Sequence, residues 1–102
     1  MASIEGSDIH KVVLACEAGM GSSVLVVSQL RQRLKGTGVD VQHSAVSRVP
    51  PDADLIICHR GLEATARSAA PGKVVVTFDM FLGDPAFDRV VEAIKTGGSL
   101  EG

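Results

Sequence analysis

The run CEAGMGSS (Cys16–Ser23) places a thiol ahead of two glycines and two serines. A thiolate is favoured at a helix N-terminus, where a cysteine pKa falls from ~8.5 into the range ~3.5–7.5. Gly19 and Gly21 admit positive φ and allow a ligand to approach the backbone closely. The backbone N–H groups of Glu17, Ala18, Gly19, Met20, Gly21, Ser22 and Ser23 can then curl around one anion, reinforced by the positive end of a following helix. The hydroxyls of Ser22 and Ser23 add donors. Such a loop suits a phosphate-sized anion held over a nucleophilic sulfur, so Cys16 is the candidate phosphoryl acceptor. The competing reading makes Cys16 a small buried residue and the glycines a tight turn.

The loop has no Gly-Lys-Ser/Thr and does not follow G-x-G-x-x-G. Cysteine phosphatases use C-x5-R-S/T, in which the arginine grips the phosphoryl oxygens and stabilises the transition state. Ser22 stands where that arginine would be. Without it an S-phosphocysteine should persist, which suits a relay. Low-molecular-weight phosphatases take their general acid from a late Asp-Pro pair, and Asp84-Pro85 keeps a hydrolase alternative open. The same pair also reads as a helix cap followed by proline at the first helical position. A third class, a redox or regulatory thiol module, would use Cys16 and Cys58 together.

His59 and Arg60 follow an apolar strand at the sheet edge expected to carry Cys16. They are auxiliary candidates, either lending positive charge to a phosphoryl group or partner, or simply beginning a helix. Cys58 reads as structural, His43 as a sheet-surface or packing histidine, and His10 as inert. Glu17 opposes phosphoryl charge and is expected to face solvent, toward a basic partner surface. Met20 reads as an adaptable partner contact, and Val24 as core packing at the rim of the loop. The two cysteines and three histidines fit no zinc spacing, so no metal or cofactor is expected.

Positioning the thiol requires a strand before it and a helix after it. Lys11–Ala15 is a short β-branched run, and Ser22–Lys35 carries Val24, Val27, Leu30 and Leu34 at helical spacing, with Gly36 as a stop. Strands follow at VDVQHSAV (Val39–Val46), ADLIICH (Ala53–His59) and KVVVTF (Lys73–Phe78). A short helix is expected over Gly61–Ala69. A last helix is capped by Asp84 and buries Phe87, Val90, Val91 and Ile94. The order β-α-β-β-α-β-α implies an α/β, doubly wound, mainly parallel sheet covered on both faces, with the first strand central. SRVPPDAD (Ser47–Asp54) is short for a parallel crossover and contains a helical turn or none.

With 102 residues the chain is one domain. The polar segment 1–10 reads as a flexible tail or linker remnant, 11–96 as the domain, and 97–102 as a frayed terminus. Its three Phe and no Trp or Tyr make the core aliphatic. A net charge of -2 without a basic run argues against nucleic-acid binding. No apolar stretch approaches twenty residues and no signal-peptide core is present, which points to the cytoplasm without direct membrane insertion.

VVLACEAGMGSS resembles the phosphorylation loop of the enzyme IIB domains of the bacterial phosphoenolpyruvate-dependent sugar phosphotransferase system. The mannitol-specific type is the nearest match, and PPDADLIICHRGLEATA (Pro50–Ala66) resembles it too. The resemblance runs from about Lys11 to Ile94. It implies a four-stranded parallel sheet flanked by three helices, similar to the low-molecular-weight phosphatase fold. It implies that Cys16 receives phosphate from a histidine of enzyme IIA and donates it to a sugar carried by membrane enzyme IIC. It implies no metal or cofactor. It allows a free-standing cytoplasmic protein or a piece held at the cytoplasmic face of the inner membrane by fusion or docking to IIC.

Overall fold

The computed structural model describes residues 3–16, 21–80 and 83–101. Its centre is a parallel sheet of β2 (Lys11–Cys16), β3 (Asp40–Ala45), β4 (Leu55–His59) and β5 (Val74–Phe78), in the order β3-β2-β4-β5. The strand that ends in Cys16 is therefore internal, with β3 on one side and β4 on the other. Three helices cover the sheet: α1 (Gly21–Arg33), α2 (Glu63–Ala69) and α3 (Pro85–Thr96). This is the expected α/β architecture, a four-stranded parallel sheet with three helices.

Alternation along the strands divides the core in two. Val12, Leu14, Leu55, Ile57, Val74, Val76 and Phe78 pack with Val26, Val27 and Leu30 of α1 and Phe87, Val90 and Val91 of α3. Val13, Ala15, Ile56, Cys58 and Val75 face the other way, toward Ala66 of α2 and Val46. Burial on both faces explains why the central strands read as continuous apolar runs. Each fully buried Leu, Ile or Val contributes about 1.5–3 kcal/mol. The β3–β4 crossover contains one 3-10 turn, Val46–Arg48, whose Val46 helps close the face that α2 is too short to cover alone.

Two expectations are corrected. Val24 is 60 % exposed; the buried stripe of α1 is Val26, Val27 and Leu30, continued by Leu34 just past its end. The chain enters α1 from the carboxyl end of β2, so the first turn of the helix stands at the sheet edge with less core beneath it. The ends are also not a loose tail and a frayed terminus. β1 (Ser3–Glu5) pairs antiparallel with β6 (Ser99–Glu101), and Gly6 N–H donates to the Gly98 carbonyl at 2.7 Å. Ile4 packs on the core, and Ile9 and Leu100 are buried in it. A Cβ on Gly6 would collide with the Ala93 carbonyl of α3, so glycine is what lets this turn dock.

Candidate functional site

Cys16 is the last residue of β2, and α1 begins at Gly21. The strand thus delivers the thiol to the carboxyl edge of a parallel sheet, where ligands bind in open α/β folds. Glu17, Ala18, Gly19 and Met20 lie outside the described residues. Gly21, Ser22 and Ser23 form the first turn of α1.

Cys16 is in phase with Val12 and Leu14, so its side chain belongs to the α1/α3 face of the sheet. On β3, His43 pairs with Leu14 and Ala45 pairs with Cys16. His43 shares the phase of Val41, which lies in the α1/α3 core. Cys16 and His43 are therefore diagonal neighbours on one face, within side-chain reach. The His43 imidazole Nε2 lies 2.7 Å from Cys16 Sγ. Cys16 is only 3 % exposed, whereas His43, on the edge strand, is open to solvent.

The reading of His43 as a surface or packing histidine missed this contact. A signal for it was present: in VDVQHSAV the apolar phase is Val39, Val41 and Ala45, and His43 falls in that phase. A polar ring in the core-facing phase of a strand needs a partner, but only the strand order shows that the partner is Cys16.

His59 and Arg60 lie at the carboxyl end of β4. Ala15 pairs with Cys58, so His59 is one step further, level with Cys16 and on its side of the sheet. Its Nδ1 accepts the Gly61 N–H at 3.1 Å, and its ring meets Phe78 edge-on at 5.7 Å. Arg60 grips Asp79 through Nε at 2.8 Å and Nη2 at 3.0 Å, a two-point pair. Both residues also start the turn into α2: His59 caps it, and Arg60 is its first member.

The two remaining sulfur and carboxylate candidates serve other ends. Cys58 is wholly buried on the α2 face, and burial, with Glu63 nearby, pushes its thiol up to about 11. It points away from Cys16 across the thickness of the sheet, which argues against a disulfide between them. Asp84 caps α3, its Oδ1 accepting Ala86 N–H at 2.8 Å. Its Oδ2 accepts Asp79 N–H at 2.7 Å and Met80 N–H at 3.1 Å. These backbone donors, Ala86 and Asp79 first, hold its carboxyl below the usual carboxylate range. A carboxylate held ionised in this way is a poor general acid, so Asp84-Pro85 is a cap and does not favour a hydrolase.

Among the described residues, no group of three or more His, Cys, Asp or Glu is placed to hold a metal ion. No helix among them is long and apolar enough to cross a membrane.

Fold and site together define a parallel α/β domain that presents a histidine-paired cysteine at the strand-to-helix junction of its central strand. A family model described as "PTS system, Lactose/Cellobiose specific IIB subunit" matches residues 11–93, and the chain belongs to this PTS IIB family. The chain is similar to the "PTS system mannitol-specific EIICB component" of Bacillus subtilis, at 32% identity over 92% of this chain and 20% of that protein. The corresponding figures for the Geobacillus stearothermophilus protein of that name are 35%, 85% and 19%. For the Staphylococcus saprophyticus protein they are 36%, 87% and 18%. The chain thus spans about a fifth of the length of these relatives.

Proposed function

We propose that this domain is a phosphoryl relay that accepts phosphate on Cys16 from a phosphohistidine of enzyme IIA and passes it to a sugar held by membrane enzyme IIC. Mannitol is the sugar assigned, on the names of the relatives. The observation that carries the reading is the position of Cys16. It ends the central strand just before a 13-residue helix, on a chain of the IIB family. In this reading the segment Glu17, Ala18, Gly19, Met20, Gly21, Ser22 and Ser23 supplies the N–H and hydroxyl donors for the phosphoryl oxygens. His59, level with Cys16 on the neighbouring strand, would serve as an auxiliary group. Arg60, held by Asp79, serves the rim and its docking partner.

Partner docking has support in exposure. Val24 and Leu25 are exposed near the start of α1, and Met80 is exposed just after β5, at the same carboxyl edge. An apolar rim around a buried sulfur suits successive partners that exclude water while phosphate moves. The name EIICB supports IIC as one of them, with the domain at the cytoplasmic face.

The test is intact-protein mass spectrometry at mildly alkaline pH with phosphoenolpyruvate, enzyme I, the histidine phosphocarrier and a mannitol-type enzyme IIA. One adduct of about 80 Da that requires IIA, persists in Cys58→Ser and vanishes in Cys16→Ser is expected. No adduct with a competent IIA, or turnover of p-nitrophenyl phosphate that depends on Cys16, would sink the relay in favour of another thiol chemistry.

A further inference from the structure

We infer that His43 is the general base of Cys16, taking the thiol proton as the sulfur accepts a phosphoryl group. The inference rests on the phosphocysteine reading above. Its footing is the 2.7 Å contact between His43 Nε2 and Cys16 Sγ, across the β2–β3 ladder.

The loop read as the phosphate cradle offers backbone N–H groups and hydroxyls, which stabilise oxygen charge. Accepting a phosphoryl group also requires the thiol to give up its proton. His43 supplies an acceptor at hydrogen-bond distance, the first geometric requirement of a general base. Its neutral tautomer with the proton on Nδ1 presents a lone pair at Nε2. The ring is exposed on edge strand β3, so a proton taken there can pass to water. His59 lies on the other flanking strand, level with Cys16. Its Nδ1 receives the Gly61 N–H and its ring packs on Phe78, so it shapes the β4–α2 turn.

The step balances within the pair and its donor. The Cys16 S–H bond breaks and its proton forms a new bond to His43 Nε2. The sulfur electron pair forms the S–P bond. The N–P bond of the donor, a histidine phosphoramidate, breaks, and its electron pair stays on the donor nitrogen. The His43 imidazolium then holds its Nε2–H toward the new phosphocysteine, as a charge-assisted donor, until the proton exchanges with water.

The test compares wild type, His43→Ala and His43→Gln by rapid quench and intact mass, with phosphorylated enzyme IIA as donor. Iodoacetamide alkylation of Cys16 in a Cys58→Ser background is a second readout that needs no phosphoryl donor. A drop of about 10²-fold in phosphoryl acceptance is expected in both variants. Free imidazole should restore His43→Ala but not His43→Gln, an outcome that lost packing does not produce. Alkylation near neutral pH should slow in the same variants. Circular dichroism and melting temperature check folding, and His43→Gln is read alone if His43→Ala does not fold.

Equal acceptance in wild type and His43→Gln overturns the assignment of His43 and leaves the relay standing. No acceptance in wild type, with alkylation still dependent on His43, overturns the relay and keeps His43 as the base of Cys16. No acceptance together with alkylation indifferent to His43 overturns both.

Discussion

Replacing Asp84 separates a structural carboxylate from a catalytic one. Three backbone N–H groups converge on it, from Ala86, Asp79 and Met80, and the residue is 8 % exposed. Loss of an Asp N-cap costs about 1 kcal/mol. Each of the other two bonds is a backbone donor to a charged acceptor, contributing roughly 1.5 kcal/mol at the low end for such bonds. Asp84→Ala should therefore destabilise the fold by about 4 kcal/mol, lowering Tm by roughly 15–30 °C at the ~4–8 °C per kcal/mol of a domain this size. In Asp84→Asn one amide oxygen can still accept from Ala86. Its NH2 group then confronts the N–H groups of Asp79 and Met80, so about 3 kcal/mol is lost.

The pH dependence has a definite sign. Ala86 and Asp79, with Met80, hold the folded-state pKa of Asp84 below its unfolded value. Its stabilisation is fully present above the unfolded pKa, ~4, and is lost as pH falls from there through the lower folded value. The Tm gap between wild type and Asp84→Asn should be full at pH 6–7 and close progressively below about pH 4. Calorimetry across that range is the assay. A gap under about 3 °C at pH 7, or a wild-type phosphoryl flux that collapses in Asp84→Asn while Tm holds, would refute the structural assignment and revive Asp84 as an acid.

Cys58, wholly buried with its thiol pushed up to about 11, should resist iodoacetamide at pH 8 in the native protein and react once denatured, as peptide mapping would show. Native labelling of Cys58 would contradict its burial. Gly6→Ala should drive the N-terminal turn off α3, since its Cβ meets the Ala93 carbonyl, costing about 1–3 kcal/mol. Hydrogen exchange should rise at Gly6, Ile4 and Leu100 and stay unchanged in β2 and β4. Ile57→Ala, in the fully buried middle of β4, should cost about 2–5 kcal/mol by denaturant titration, far more than a substitution at exposed Val24.

Local residue patterns were enough to read most of the elements and the candidate nucleophile. The apolar runs of β2, β4 and β5 have no amphipathic phase to mislead, and β3 was legible from the alternation of Val39, Val41 and Ala45. Asp84-Pro85 marks the start of α3 through cap chemistry that acts within a few residues. Cys16 stood out because a thiol, glycines and serines between a strand and a helix form a local pattern. What the tertiary structure decided are the relations across strands and between the chain ends. The His43–Cys16 pair spans 27 residues and exists because β3 returns beside β2 in a register that sets Leu14 opposite His43. The β1–β6 ribbon joins two short polar segments whose own composition carries no strand signal. They become strands because each supplies the other's hydrogen bonds and one apolar side chain, partly buried Ile4 or buried Leu100, docks on the core. Such pairings depend on chain closure, and no window of neighbouring residues encodes that.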